Sequence, residues 1–286
     1  MRYASLVAIV SGTPDDEAVI VQTCELVRRH AARARILVAV PTMVKAAAPV
    51  GIGSGLLAAQ AWTALDDSRR RVVEHVRGLA AEHTARLGLA AASPGETAPV
   101  TIAAEAATPW LGLQQELPLA DLVIIGRSSA RGDGPWTGVL SDVLMTARAP
   151  VLVVRDDRPV LGQPVAIAWD GSLEAGRAVR AALPLLAEAP AVIVLQDPDE
   201  LGDAAGAVDP ERLTAYLDGH GVKPVKTVRT AGAHAGPALV QGAVDAGAAV
   251  LVAGAYGHAR LREAVLGGAT RTFLEAPKGP HLLLCH

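Results

Sequence analysis

The chain repeats itself, and the repeat restricts its fold more than any single motif. SLVAIVSGT at 5–13 matches PVAIAWDGS at 164–172, ADLVIIGRSS at 120–129 matches AAVLVAGAYG at 248–257, and APVLVVR at 149–155 matches GPHLLLC at 279–285. Three segments recurring in the same order mean two copies of one supersecondary unit. Ser11 and Asp170 lie 159 positions apart but Gly126 and Gly254 only 128, so the first copy carries about 31 extra residues. They fall after its second strand, around TMVKAAAPVGIGSGLLAAQAW. The Gly, Pro and Ala content near 43–58 reads as a mobile loop insertion, either exposed filler or the wall of a pocket.

Within each copy short apolar runs alternate with helical patterns. Strands are expected at 4–10, 34–41, 99–104, 120–125 and 150–154, then at 164–169, 190–196, 224–229, 248–253 and 281–285. Helices are expected near 15–32, 60–88, 108–118 and 138–147, then near 173–188, 209–219, 235–246 and 268–276. Strands with few polar interruptions, joined by helices, form parallel sheets covered on both faces. Of the 286 residues 51% are apolar but only 3% aromatic, which suits Ala-rich helices packed closely on Val and Ile strands. The fold class is therefore α/β: two tandem five-stranded, doubly wound domains at 1–157 and 163–286. The polar, Pro- and Gly-bearing stretch from Asp156 to Pro164 serves as the linker.

Composition excludes several functions. With 26 basic and 29 acidic residues the net charge is −3, which gives no general attraction for nucleic acid. Trp62, Trp110 and Trp136 do not interleave with basic residues, and Arg69-Arg70-Arg71 is balanced by Asp66, Asp67 and Glu74. The N-terminal apolar run is too short for a signal peptide or membrane span, so a cytoplasmic protein is expected. Cys24 and Cys285 belong to no CxxC or His/Cys cluster and read as buried structural thiols.

In open parallel sheets ligands bind beyond the carboxyl ends of the strands, where strand order reverses. Two stretches leave such ends in the second copy. One is Asp170-Gly171-Ser172, a good turn and helix-capping sequence in its own right. The other is GAYGHARLREAVLGGATRTF at 254–273. Its glycines permit sharp turns and close backbone approach, and the helix beginning at Gly268-Ala269 presents amides and roughly half a positive charge to an anion. His258 and Arg260 could add charge-assisted hydrogen bonds, as could Arg262, unless it pairs with Glu263. Gly254, Gly257 and Gly267 equally suit a strand end, a left-handed turn and a helix start without any ligand.

VAIAWDGSLEAGRAVRAAL, then GxxG after the fourth strand, nine further residues, Gly and a helix running into PHLLL resemble the universal stress protein family in its tandem form. The resemblance covers nearly the whole chain and implies adenine nucleotide alpha hydrolase-like domains. It further implies that the copies pack about a pseudo-twofold axis through 150–154 and 281–285, as an intramolecular pseudo-dimer. Many members bind ATP or AMP through an Asp after the first strand and a G-x2-G-x9-G-(S/T) loop. Carried over, Asp170 would contact adenine or ribose, and Gly254, Gly257 and Gly267 would form the phosphate loop, with Mg2+ if the ligand is ATP. Gly268 stands where the family has Ser or Thr, removing a hydroxyl donor but keeping an amide. In the first copy Ser11 replaces the Asp, Ser129 replaces the second Gly, Thr137-Gly138 replaces Gly-(S/T), and seven residues instead of nine separate Ser129 from Thr137. That copy is expected to have lost its nucleotide site.

No nucleophile elbow, HExxH or Walker loop is present, and His220 and His234 stand alone in loops. The expected function is a stress-response module whose second domain binds an adenine nucleotide as a signal, a binding protein more than an enzyme. Two alternatives stand beside it: a non-nucleotide interaction or small-ligand module using the 43–58 insertion, and a weak ATPase. A homodimer of such chains is compatible with the sequence.

Overall fold

The run SLVAIV illustrates the local rule that builds the sheet. Side chains alternate between faces along a strand, so Leu6, Ala8 and Val10 enter one core and Val7 and Ile9 the other, all five buried. The computed structural model describes residues 1–39, 55–89, 99–103, 109–133, 136–196, 208–222, 225–230, 235–256 and 268–286. The first copy runs β1 (Ser5–Val10), α1 (Asp16–His30), β2 (Arg33–Val38), α2 (Gly55–Arg86), β3 (Val100–Ala103), α3 (Pro109–Glu116), β4 (Leu122–Gly126), α4 (Arg127–Arg131), α5 (Val139–Ser141) and β5 (Val151–Val154). The second runs β6 (Val165–Ala168), α6 (Leu173–Leu186), β7 (Val192–Gln196), α7 (Pro210–Gly219), β8 (Val225–Arg229), α8 (Ala235–Asp245), β9 (Val250–Gly254), α9 (Gly268–Glu275) and β10 (His281–Cys285).

These strands form one mixed sheet in the order β3-β2-β1-β4-β5-β10-β9-β6-β7-β8. Each half has the same internal order, with its first and fourth strands side by side at the centre. All pairs are parallel except one: β5 and β10 run antiparallel, Leu283 opposite Leu152 and Leu282 opposite Val153. These are the strands the resemblance brings together. Each would otherwise present an unpaired apolar edge, a template for aggregation; joined, both are fully buried. The outer edges differ. β8 carries Lys226 and Arg229 in exposed positions, a charged edge that discourages further pairing.

Helices cover both faces. Val19 and Ile20 of α1, Val76 of α2, Val179 of α6 and Leu217 of α7 share one core. Leu113 of α3, Leu140 of α5, Leu239 of α8 and Phe273 of α9 share the other. Aliphatic side chains carry nearly all of this packing, as the scarcity of aromatics requires.

Three local features differ from the expectations. Gly55 to Ala58, the end of the insertion read as a loop, forms the first turn of α2; the rest of 43–58 lies outside the described residues. The short helix α4 follows β4 directly and ends on Gly132 in the left-handed region at φ 83°. The helix expected at 138–147 starts as α5 but continues as a π-helical turn, Asp142–Thr146. There the Asp142 carboxylate leaves the helix axis to accept the Trp136 indole N–H at 3.0 Å.

Candidate functional site

Strand order reverses twice, once between β1 and β4 and once between β6 and β9, and each reversal opens a crevice at the carboxyl ends of the paired strands. The second crevice lies between Asp170 and Gly254. Ala168 is paired with Ala253, so Asp170 lies just past the end of β6 beside Gly254, the last residue of β9. Asp170 is half-buried, and its Oδ1 accepts the Ser172 amide at 2.9 Å across Gly171, which takes φ 77°. Ser172 in turn caps α6, its Oγ accepting the Ala175 amide at 3.1 Å. The Asx turn thus orients the carboxylate over the strand ends and starts the helix.

Gly254 is glycine for a packing reason. A Cβ there would lie 2.7 Å from the Ala175 amide nitrogen and 2.9 Å from Glu174 Cβ. The first turn of α6 therefore sits directly on the end of β9. Gly126 in the first copy meets the same demand, with Asp15 Cβ at 2.6 Å. Gly268, at the start of α9, has nothing among the described residues within 4 Å of a would-be Cβ. Ala269 follows it, half-buried in the first turn of α9. Gly257, His258, Arg260 and Gly267 lie outside the described residues.

Two residues at this site escape a motif-based reading. Tyr256 adopts φ 61°, a left-handed conformation uncommon for a residue with a Cβ. Its hydroxyl is buried with no partner among the described residues, and burial pushes its pKa up to about 12. The ring meets His286 edge-on at 6.1 Å between centroids, and His286 Nδ1 lies 3.1 Å from the Ala255 carbonyl. Glu174, against Gly254, turns to Arg177 at 3.7 Å. The repeat register, which aligns Tyr256 with Ser128 and Glu174 with Asp15, was the available signal for both.

The first crevice is occupied by its own side chains. Ser11 and Ser129 hydroxyls hydrogen-bond across it at 2.9 Å, buried. The Asp15 carboxylate accepts the Ser128 amide, taking a donor that would face an anion. The Asp16 carboxylate accepts the Ser11 and Gly12 amides at 3.2 and 2.8 Å and the Thr13 hydroxyl at 2.9 Å. Asp15 thus puts a carboxylate against the turn after β4, while Asp16 occupies the amides of the loop after β1.

Trp169 is buried at 6% exposure, and its indole donates to the Val208 carbonyl at 3.0 Å, which makes it a core residue. Cys24 and Cys285 are buried free thiols, as expected. No helix among the described residues is long and apolar enough to cross a membrane.

A universal stress protein of Archaeoglobus fulgidus has the same architecture, with a TM-score of 0.62 at 13% identity, covering 98% of this chain and 95% of that one. The fold is that of the universal stress proteins. A functionally unknown protein of Pseudomonas aeruginosa PAO1 is similar at TM-score 0.55 and 14% identity, covering 99% and 92% of the two chains. A candidate universal stress protein of Pseudomonas aeruginosa UCBPP-PA14 is similar at 0.54 and 15%, covering 99% and 93%. No family model matches the sequence, and no curated protein matches it. At 13–15% identity the universal stress protein fold is shared through its strand order and layers, while individual site residues must be judged from this chain alone.

Proposed function

We propose that this chain acts as a tandem universal stress protein whose second half binds an adenine nucleotide, ATP or AMP, as a signal. The observation that carries the reading is the Asp170 crevice: a half-buried carboxylate at the end of β6 beside the end of β9, at the reversal of strand order. A carboxylate accepts hydrogen bonds only, so it suits a ribose hydroxyl or an exocyclic amine. The amides opening α9 suit a phosphate, with Gly257, His258, Arg260 and Gly267 completing the loop on the family pattern. Mg2+, if ATP is the ligand, would come with the phosphates, since that ion needs few protein carboxylates. Among the described residues no group of three His, Cys, Asp or Glu stands ready to hold a metal by itself. Binding and release, rather than turnover, is the chemistry these residues suit.

Thermal unfolding with and without nucleotide tests the reading. At 100 times its dissociation constant a ligand adds about 2.7 kcal/mol, a plain rise in melting temperature. The rise is expected with ATP or AMP and is lost in Asp170→Ala. No shift at millimolar nucleotide would overturn it.

A further inference from the structure

A second site lies at the seam between the halves. β5 and β10 run antiparallel, so the carboxyl ends of β4 and β5 meet the amino ends of β9 and β10. A cavity of about 550 Å³ opens there, within the size range of small-molecule sites. Arg127 and Arg155 enter it from the first half, Arg158 from the linker and Lys278 from the turn before β10; among the described residues Asp156 is the one carboxylate on its wall. Four cations thus face one anion.

Part of that charge has a structural use. Arg127 Nε and Nη2 donate to the Leu274 and Ala276 carbonyls at 2.8 and 2.9 Å. Arg155 donates to the carbonyls of Ala276, at 2.9 Å, and Phe273. The two guanidinium groups therefore cap the C-terminus of α9, whose negative dipole end favours cations. Arg158 grips Asp156 through Nε at 2.9 Å and the Gly279 carbonyl through Nη2 at 2.7 Å.

More donors remain than these contacts use. Arg155 Nε is buried with no partner among the described residues. Arg127 Nη1, Arg158 Nη1 and Lys278 Nζ have no partner among the described residues. Burial and the neighbouring Arg127 and Arg158 pull the Arg155 pKa down to about 10, the sign of a guanidinium held among like charges in partly desolvated surroundings. One helix end and one carboxylate leave this cluster uncompensated, whereas a multiply charged anion would satisfy both the charge and the spare donors.

We propose that this cavity binds a compact phosphate-type oxyanion of two or more negative charges, held by Arg127, Arg155, Arg158 and Lys278 and bridging the two halves of the sheet. The site is separate from the Asp170 crevice and takes its ligand by charge, with no base or ribose required. Its contacts come from both copies, so binding resists separation of the halves along β5 and β10.

Calorimetric titration of the full chain with pyrophosphate, against sodium chloride of matched ionic strength, tests this. One saturable site is expected. Lys278→Gln, an exposed side chain without structural contacts among the described residues, weakens it about tenfold, the effect of losing one charge-assisted hydrogen bond. Unliganded melting stays at the wild-type temperature. Arg158→Gln weakens binding similarly, and Asp170→Ala leaves it unchanged, which separates this site from the nucleotide crevice. No saturable heat at millimolar pyrophosphate, or wild-type affinity in both Lys278→Gln and Arg158→Gln, would overturn the proposal. Loss of pyrophosphate binding in Asp170→Ala would place the anion in the nucleotide crevice and overturn it as well.

Discussion

Ser11 and Asp170 occupy the same place in the two copies, past the first strand of each half, and do opposite things. Ser11 reaches across its crevice to Ser129 and closes it, while Asp16 gathers the loop amides from behind. In the second copy Asp170 makes the turn itself, and Ala175 stands where Asp16 does. One carboxylate has in effect moved from the first helical turn to the strand end. Asp15 shows the same exchange: its carboxylate takes the Ser128 amide, whereas its counterpart Glu174 pairs with Arg177. Among the described residues, side chains thus cross the strand end of the first half and not that of the second.

The largest effect is expected on removing the first crevice's own anchor. Asp16→Ala leaves the buried Ser11 amide and the partly solvated Gly12 amide and Thr13 hydroxyl without their acceptor, at a cost of about 2 kcal/mol. Asp170→Ala removes one hydrogen bond of this kind and costs about 1 kcal/mol. Urea unfolding of both variants measures the difference. Equal losses would mean that the two carboxylates do the same structural work and that the contrast between the halves is wrong.

Next come the paired glycines. Gly254→Ala drives a Cβ into the α6 backbone and Gly126→Ala drives one into Asp15, each destabilising by about 1–3 kcal/mol. Gly268→Ala, with no described residue within 4 Å of the added Cβ in the first turn of α9, is neutral or stabilising by up to about 1 kcal/mol. Melting curves of the three variants separate the glycine the fold requires from the one it does not.

How much of this was legible in the sequence follows from the same residues. The repeat placed Asp170 and Gly254 at strand ends because apolar runs and turn residues are local signals, and the strand expected at 281–285 is β10, His281–Cys285. The direction of the Asp15 and Asp16 carboxylates is not a local signal, since it depends on where β4 comes to rest against α1. The same holds for the cavity at the seam. Arg127, Arg155, Arg158 and Lys278 are scattered along the chain and meet only because β5 and β10 pair antiparallel. Nor does a glycine count reveal that Gly254 answers to α6 while Gly268 answers to no described residue within 4 Å.

The seam itself offers a pH test. His281 is fully buried where the first copy has Val151. The Arg155 amide donates to its Nδ1 at 3.1 Å, so Nε2 carries the proton and donates to the Arg158 carbonyl at 2.9 Å. Burial holds its pKa below the ordinary histidine value, against the opposing pull of the Arg158 carbonyl and Asp156. Below the ordinary value the unfolded chain binds a proton that the folded chain does not, so stability falls as the pH drops through that range, by at most about 1.4 kcal/mol per pH unit for this one group. His281→Val, which makes the two strands alike, flattens the profile between neutral and mildly acid pH. An unchanged slope would assign the acid sensitivity elsewhere, His30 being the other buried histidine whose pKa burial lowers.

The smallest effect concerns a hydroxyl added at Gly268. Gly268→Ser adds a hydroxyl where no described residue lies within 4 Å, and on the proposed reading a modest gain in nucleotide affinity, a few-fold, is expected from one added neutral hydrogen bond. Weaker binding would mean that the phosphate does not approach the start of α9.

Calorimetric titration of ATP into chains carrying Lys278→Gln and Arg158→Gln to weaken the seam, alone and with Asp170→Ala or Ser11→Ala added, tests the contrast between the halves most directly. The expected result is one nucleotide per chain, lost in Asp170→Ala and retained in Ser11→Ala. Two nucleotides per chain, none at millimolar ATP, or binding that survives Asp170→Ala would contradict it.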